Sequence, residues 1–312
     1  MYLDNETPLV VTMRANSKPL LVTLSDKNYI TIARRFFSSV YFRGQWPGDC
    51  MLLAHGVPEK ELKWFRERGI LIKKCKPLGT SPLNRWPPVV LDSFYLFTKE
   101  FKQWDNIVFF DSDTIVFASL NKLSELKGFW SMDNDHFNDT TLEDHFDKKS
   151  STFNLKFYKK IKHQYDLSSL TFSTSCIAFS TDIIQPDTFS QLKNFIPYLP
   201  SGRWAEELAY NLVFYRKWKK LAIPYIVRAS IISQRCGIKI ENVKGIAFHV
   251  HPGRMPWSKD HYYSQLLDYY LRNIDTINLK KPVQQTYAWP SWKLFLYQLY
   301  LNFRYLYCLI KR

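Results

Sequence analysis

Two carboxylates, Asp111 and Asp113, flank Ser112 and directly follow the apolar run Ile107–Phe110. That run is rich in β-branched and aromatic residues and predicts a buried strand. Two Asp side chains spaced i, i+2 at a strand end can share one hard divalent cation, Mn²⁺ or Mg²⁺, and leave coordination positions for phosphate oxygens. In open α/β sheets, ligands collect beyond the carboxyl ends of the strands. A metal held there would neutralise charge on a phosphate-bearing leaving group. Asp is also common in turns and at helix N-caps. The apolar runs on both sides, Ile107–Phe110 and Thr114–Val116, favour the metal.

A second signal lies far downstream in Ala247–Trp257, AFHVHPGRMPW. A lone histidine in such a turn is usually structural. Paired with Asp111 and Asp113, however, His249 completes a two-aspartate, one-histidine ligand set. Arg254 is a candidate phosphate contact. The adjacent acids Glu206 and Glu207 open a helical pattern, where they suit either a site or the helix dipole.

The elements that must position these residues alternate. Leu20–Leu24, Met51–Ala54, Ile70–Cys75 and Ile107–Phe110 read as strands. Between them, Ile30–Val40, Pro58–Arg68 and Pro88–Glu100 read as helices. Strands and helices at this spacing predict βαβ units and an α/β fold with a mostly parallel, mixed central sheet. Further on, Asn134–Leu170 reads as polar and irregular, Cys176–Phe179 as a strand, Trp204–Lys219 as a helix and Ile246–Val250 as a strand.

Composition narrows the classes. Hydrophobic residues make up 46% of the chain and charged ones 23%, which excludes a mainly disordered protein. The net charge of +15 points to an anionic partner: nucleic acid, an acidic membrane or a phosphate-bearing ligand. The five cysteines form no CxxC pair, so neither a disulfide framework nor a zinc site is expected, and a reducing cytoplasm is the simpler setting. No signal peptide or comfortable membrane span is visible.

With these motifs in place, the sequence resembles the retaining glycosyltransferases of family 8 over roughly residues 20–257. The late motif of that family reads His-x-x-Gly-x-x-Lys-Pro-Trp. Counting back from Pro256-Trp257, His249 matches the histidine, the third metal ligand. The glycine position falls on Pro252, with Gly253 next to it. The lysine position falls on Met255, with Arg254 beside it. The basic residue that the family carries before its DxD falls near Phe94 or Tyr95, with Arg85 and Lys99 as substitutes.

The resemblance implies a single Rossmann-like domain of the GT-A type. It also implies that Leu24, Ser25, Asp26 and Tyr29 hold the nucleotide base. Thr174 and Ser175 match the Asn-Ser-Gly strand near the donor sugar. Glu206 and Glu207 match the Asp-Gln helix start, with Glu206 contacting that sugar. Asp133 and Asp135 fall where the family contacts sugar or acceptor, and Ser112 lies within the DxD itself. The implied reaction moves a sugar from a nucleotide-sugar, by family inference UDP-linked, to a glycan or glycolipid hydroxyl with retention of configuration. Glu206 and Asp135 are the catalytic candidates.

The chain is expected to divide into a catalytic domain, residues 1–275, and a tail, residues 276–312. The tail holds six basic residues, nine aromatics and no acid. As a helix it would place Lys293, Tyr297, Tyr300, Arg304 and Lys311 on one stripe, suited to an anionic inner membrane face. The competing arrangement packs that helix on the catalytic domain. Two other functions compete: a nucleic-acid-binding or nucleotidyltransferase-like protein, and a non-catalytic glycosyltransferase-like binding protein. No nucleic-acid signature is present, and none is expected as a partner. The expected location is the cytoplasm, with peripheral contact to the inner membrane face.

Overall fold

The structure, a computed structural model, describes residues 18–79, 86–133, 140–250, 255–281, 285 and 287–311. In chain order the elements are β1 (Leu20–Asp26), α1 (Ile30–Ser39), β2 (Asp49–His55), α2 (Glu59–Glu67), β3 (Leu71–Cys75), β4 (Asn106–Phe110), β5 (Thr114–Val116), β6 (Phe129–Met132), α3 (Leu155–Gln164), β7 (Ser173–Ser180), α4 (Thr188–Asn194), α5 (Glu207–Val213), β8 (Trp218–Lys220), α6 (Ala229–Cys236), β9 (Ala247–His249), α7 (Tyr262–Arg272) and α8 (Ser291–Ile310).

Seven strands form one sheet in the order β3-β2-β1-β4-β7-β6-β8, and β5 pairs with β9 in a small second sheet. The pairs β1–β2, β2–β3, β1–β4 and β6–β8 are parallel, while β7 runs antiparallel to both β4 and β6. The expected mixed, mostly parallel α/β sheet is what forms. The order reverses between β1 and β4, so their carboxyl ends border a crevice of the kind that takes ligands in doubly wound sheets.

Both faces of the sheet are covered, which is why its central strands read as continuous apolar runs rather than alternating ones. Leu20, Val22, Ile107, Phe109, Ile177 and Phe179 fill one core. Leu21, Val108, Phe110, Cys176 and Ala178 fill the other, with Ala33, Phe36 and Phe37 of α1. A third core lies beneath β5 and β9, around Phe117, Phe248, Trp257 and Tyr263.

Three expectations are corrected. Pro88–Glu100 does not form an α-helix: Pro88–Phe97 is a long 3₁₀ segment, and Lys99–Gln103 a second. His55 Nδ1, 2.7 Å from Asp92 Oδ2, ties the first to the sheet. The helix expected over Trp204–Lys219 is only α5; Arg216 takes φ +55 and turns the chain so that β8 can pair with β6. Asn134–Leu170 is not wholly irregular. Asn154 accepts from the Phe157 backbone N–H at 2.9 Å and caps α3, whose Phe157 and Ile161 are buried one turn apart.

The tail is helical and packs one face inward. Leu294 and Leu301 of α8 are buried. Arg304 donates to the carbonyls of Cys236 (3.1 Å) and Gly237 (2.9 Å), satisfying the C-terminal end of α6. Tyr297 Oη accepts from the Lys244 backbone N–H at 2.8 Å. Arg304 and Tyr297 therefore leave the outward stripe expected of them, because α6 and the loop before β9 offer better hydrogen-bond partners than solvent. Lys293, Tyr300 and Lys311 of that stripe remain exposed, and Trp292, Phe295 and Phe303 are exposed with them. Among the described residues, no helix is long and apolar enough to cross a membrane.

Candidate functional site

The crevice between β1 and β4 opens into a cleft of about 500 Å³. The β1 end contributes Leu24, Ser25, Asp26 and Tyr29 to its lining. Asp26 Oδ1 accepts from the backbone N–H groups of Asn28 (2.8 Å) and Tyr29 (3.0 Å), closing the turn that presents them.

At the end of β4 the backbone turns sharply: Asp111 N donates to Ser175 O at 3.0 Å, and Thr114 N to Asp111 O at 3.1 Å. The next residues form β5, whose antiparallel register pairs Thr114 with His249, Ile115 with Phe248 and Val116 with Ala247. That register carries His249 to the aspartates. Its Nε2 lies 3.0 Å from Asp113 Oδ1 and 3.7 Å from Asp111 Oδ2. One ligand atom from each of Asp111, Asp113 and His249 falls within 4.8 Å of the others.

These separations suit a shared ion. Metal–ligand bonds of about 2.1 Å put neighbouring octahedral ligands roughly 3 Å apart. The two carboxylates match the oxygen preference of Mn²⁺ and Mg²⁺, and the imidazole favours the transition ion, Mn²⁺, of the two. Electrostatics points the same way. Desolvation raises the Asp111 carboxyl above its usual range; the neighbouring His249 opposes this, while Asp113 and Glu207 raise it further. A bound dication would relieve that crowding.

The opposite wall combines β7 and the start of α5. Thr174 Oγ1 donates to Glu206 Oε1 at 2.7 Å. Ser173 Oγ and the Thr174 backbone N–H reach Glu207 Oε1 at 2.9 and 3.1 Å. Burial, then the charge of Glu207, pushes the Glu206 carboxyl up to about 8, so at neutral pH it is mainly a neutral acid that can donate as well as accept.

The structure gathers Asp111, Ser112, Asp113, Thr174, Ser175, Glu206, Glu207 and His249 around this cleft. Asp133 is not among the lining residues; it sits at the end of β6 in an ion pair with Lys220. Asp135, Gly253, Arg254 and Arg85 lie outside the described residues. Phe94 and Tyr95 are buried in the core, Lys99 is exposed on the second 3₁₀ segment, and Met255 packs against the third core.

Sequence reasoning missed Arg228, Trp86, Trp204 and Ser230, which also line the cleft. The one available signal for Arg228 was a charge isolated after Ile226-Val227. What brings it to the site is a bridge between Val227 and Phe248, invisible in sequence. Arg228 Nε lies 3.4 Å from His249 Nδ1, and its Nη2 lies 3.3 Å from both Ser173 Oγ and Ser175 Oγ.

Known structures share this architecture. WbbM, a bifunctional glycosyltransferase, superposes with a TM-score of 0.56 at 15% identity over 94% of this chain, which spans 52% of WbbM. The galactosyltransferase LgtC, solved in complex with donor and acceptor sugar analogues, gives 0.58 at 11% identity, covering 87% of this chain and 98% of LgtC. The glycosyltransferase GlyE of Streptococcus pneumoniae TIGR4 gives 0.53 at 14% identity, covering 84% of this chain and 63% of GlyE. The chain has the GT-A glycosyltransferase fold. It therefore spans about half the length of WbbM and nearly the whole of LgtC. No protein-family model and no curated protein matches the sequence.

Proposed function

We propose that the chain is a metal-dependent hexosyltransferase, transferring a sugar from a nucleotide-sugar to a glycan or glycolipid hydroxyl with retention of configuration. The observation that carries the proposal is the convergence of Asp111, Asp113 and His249 at the carboxyl end of β4. A cation at this place would hold a nucleoside diphosphate, and the donor set fits Mn²⁺, with Mg²⁺ the alternative.

When bound, that ion supplies Lewis-acid stabilisation of the departing diphosphate. The chain's own residues do the rest. The turn Leu24–Tyr29 borders the cleft where the base would lie, with uridine favoured by the resemblance to family 8. Thr174, Ser175 and Glu206 form the wall suited to the donor sugar. As a neutral acid, Glu206 can hydrogen-bond a sugar hydroxyl without adding charge to a cleft already rich in carboxylates. No dedicated general base is assigned, so catalysis rests on positioning and charge stabilisation. Asp135 keeps its proposed role near sugar or acceptor, as do Gly253 and Arg254 near the phosphates. Asp133, held by Lys220 away from the lining, is the weakest of the proposed contacts. In this reading residues 1–275 are catalytic, and residues 276–312 meet the cytoplasmic membrane face from which a lipid-linked acceptor is reached.

The decisive experiment is a donor screen with UDP-sugars, with and without Mn²⁺, on the wild type and on the double variant Asp111→Asn, Asp113→Asn. Metal-dependent transfer or hydrolysis by the wild type, lost in the variant, supports the assignment. Undiminished turnover by the variant rejects it.

A further inference from the structure

The cleft presents a charge problem. Asp26, Asp111, Asp113, Glu206 and Glu207 all line it. Among the described residues, the one lining side chain with a permanent positive charge is Arg228. Even with Glu206 neutral, a divalent ion balances only two of the other four acids, and a nucleoside diphosphate brings further negative charge.

Two features of Arg228 bear on this. It stands at the N-cap of α6, whose N-terminus has no side-chain cap, and Ser230 and Ile231 of the first turn also face the cleft. A cation at a helix N-terminus is unfavourably placed, because it meets the positive end of the dipole. Structural economy would not put it there; an anion arriving at that end would use both charges together. The guanidinium is also held beside the metal ligands without replacing one: Nε lies 3.4 Å from His249 Nδ1, and Nη2 lies 3.3 Å from Ser173 Oγ and Ser175 Oγ. It thus spans from β9, which carries His249, to the serine wall on β7.

We infer that Arg228, together with the open first turn of α6, is the cationic subsite for the diphosphate of the donor. The inference rests on the glycosyltransferase reading of the same cleft. It assigns Arg228 the charge that Met255, half-buried against the third core, lacks. Arginine suits the task, since its planar fork engages phosphate oxygens in pairs.

The test is binding rather than turnover. Full-length wild type, Arg228→Gln and Arg228→Lys are titrated calorimetrically in Mn²⁺ with UDP, GDP and ADP, then with the monophosphate and nucleoside of whichever binds. Mn²⁺ affinity is measured separately without nucleotide, and thermal unfolding confirms that each variant folds. With Mn²⁺ held saturating for each variant, because Arg228 also contacts His249, Arg228→Gln should lose at least about tenfold in diphosphate affinity, less for the monophosphate, and nothing for the nucleoside. Arg228→Lys should recover part of the loss. Equal weakening of diphosphate and nucleoside makes Arg228 a mere strut of the cleft wall and overturns the inference. So does diphosphate affinity equal to wild type. A wild type that binds none of the three diphosphates overturns the parent reading first, and this one with it.

Discussion

Thr114 pairs with His249 across the short β5–β9 ladder, and Val250 N donates to Asp113 O at 2.9 Å just beyond it. A proposed metal ligand and its proposed partner 136 positions upstream are thus set face to face by backbone hydrogen bonds, not by flexible side chains. The geometry is preorganised, so each ligand should matter individually. His249→Ala should weaken Mn²⁺ binding at least as much as loss of an outer-shell partner does, about 10–100-fold. Calorimetry or the Mn²⁺ electron paramagnetic resonance signal would measure it. Affinity within a factor of two of wild type would remove His249 from the ligand set.

The ladder in turn depends on packing. Phe248, the neighbour of His249 in β9, is fully buried, with ring centroids 4.8 Å from Trp257 and 5.6 Å from Phe117. Truncating such a ring costs about 3–5 kcal/mol. Phe248→Ala should show this in urea unfolding, and should also weaken Mn²⁺ binding by loosening His249. Phe94→Ala, in a different core, should cost similar stability and leave Mn²⁺ affinity unchanged. Equal Mn²⁺ losses in both variants would mean that general destabilisation, not the register, controls the metal site.

Much of this arrangement was legible in sequence, and the reason is specific. The Ile107–Phe110 run has to be buried on both faces, so the two aspartates that end it could only emerge at a strand terminus. The start of α2 was equally plain, because Pro58 precedes a first turn with Glu59 and Glu61. What could not be read depends on pairing between distant segments. Arg228 reaches the site through a single bridge from Val227 to Phe248. The shortening of the expected Trp204–Lys219 helix follows from β8 joining β6, which no local pattern announces. Tyr297 and Arg304 turned inward for the same kind of reason: their partners belong to a loop and to α6.

Acidity inside the cleft predicts a pH dependence of stability in the metal-free protein. Burial, reinforced by Glu207, raises the Glu206 carboxyl to about 8 in the folded state, against an ordinary value of 4.5. Between those values the folded chain holds a proton that the unfolded chain has released. Stability is therefore fully present below the ordinary value and is lost as pH rises through about 8. Below about pH 6.5 the buried His145, held neutral by desolvation, works in the opposite direction, so it is from about pH 6.5 to pH 9 that the metal-free Tm should fall. Glu206→Gln, which cannot ionise, should flatten that slope. A slope unchanged in the variant would show that Glu206 is ionised at neutral pH and that the proposed role of a neutral acid is wrong.

The outward face of α8 carries the last expectation. Trp292 (65% exposed), Phe295 (62%), Phe303 (68%) and Ile310 (86%) face away from the domain, with Lys293 and Lys311 also exposed. Rings and cations on one outer face suit an anionic bilayer surface. Deleting the tail is a poor test, because Leu294 and Leu301 are buried beneath it and Arg304 completes α6. Point changes on the outer face avoid that damage. Each lysine near an anionic surface is worth about 1 kcal/mol, so Lys293→Gln with Lys311→Gln should weaken binding to phosphatidylserine vesicles by roughly 30-fold. Phe295→Glu with Phe303→Glu should abolish sedimentation with those vesicles while leaving Tm and Mn²⁺ affinity at wild-type values. If neither pair changes the fraction of protein that pellets, the face serves another contact and the membrane assignment of residues 276–312 fails.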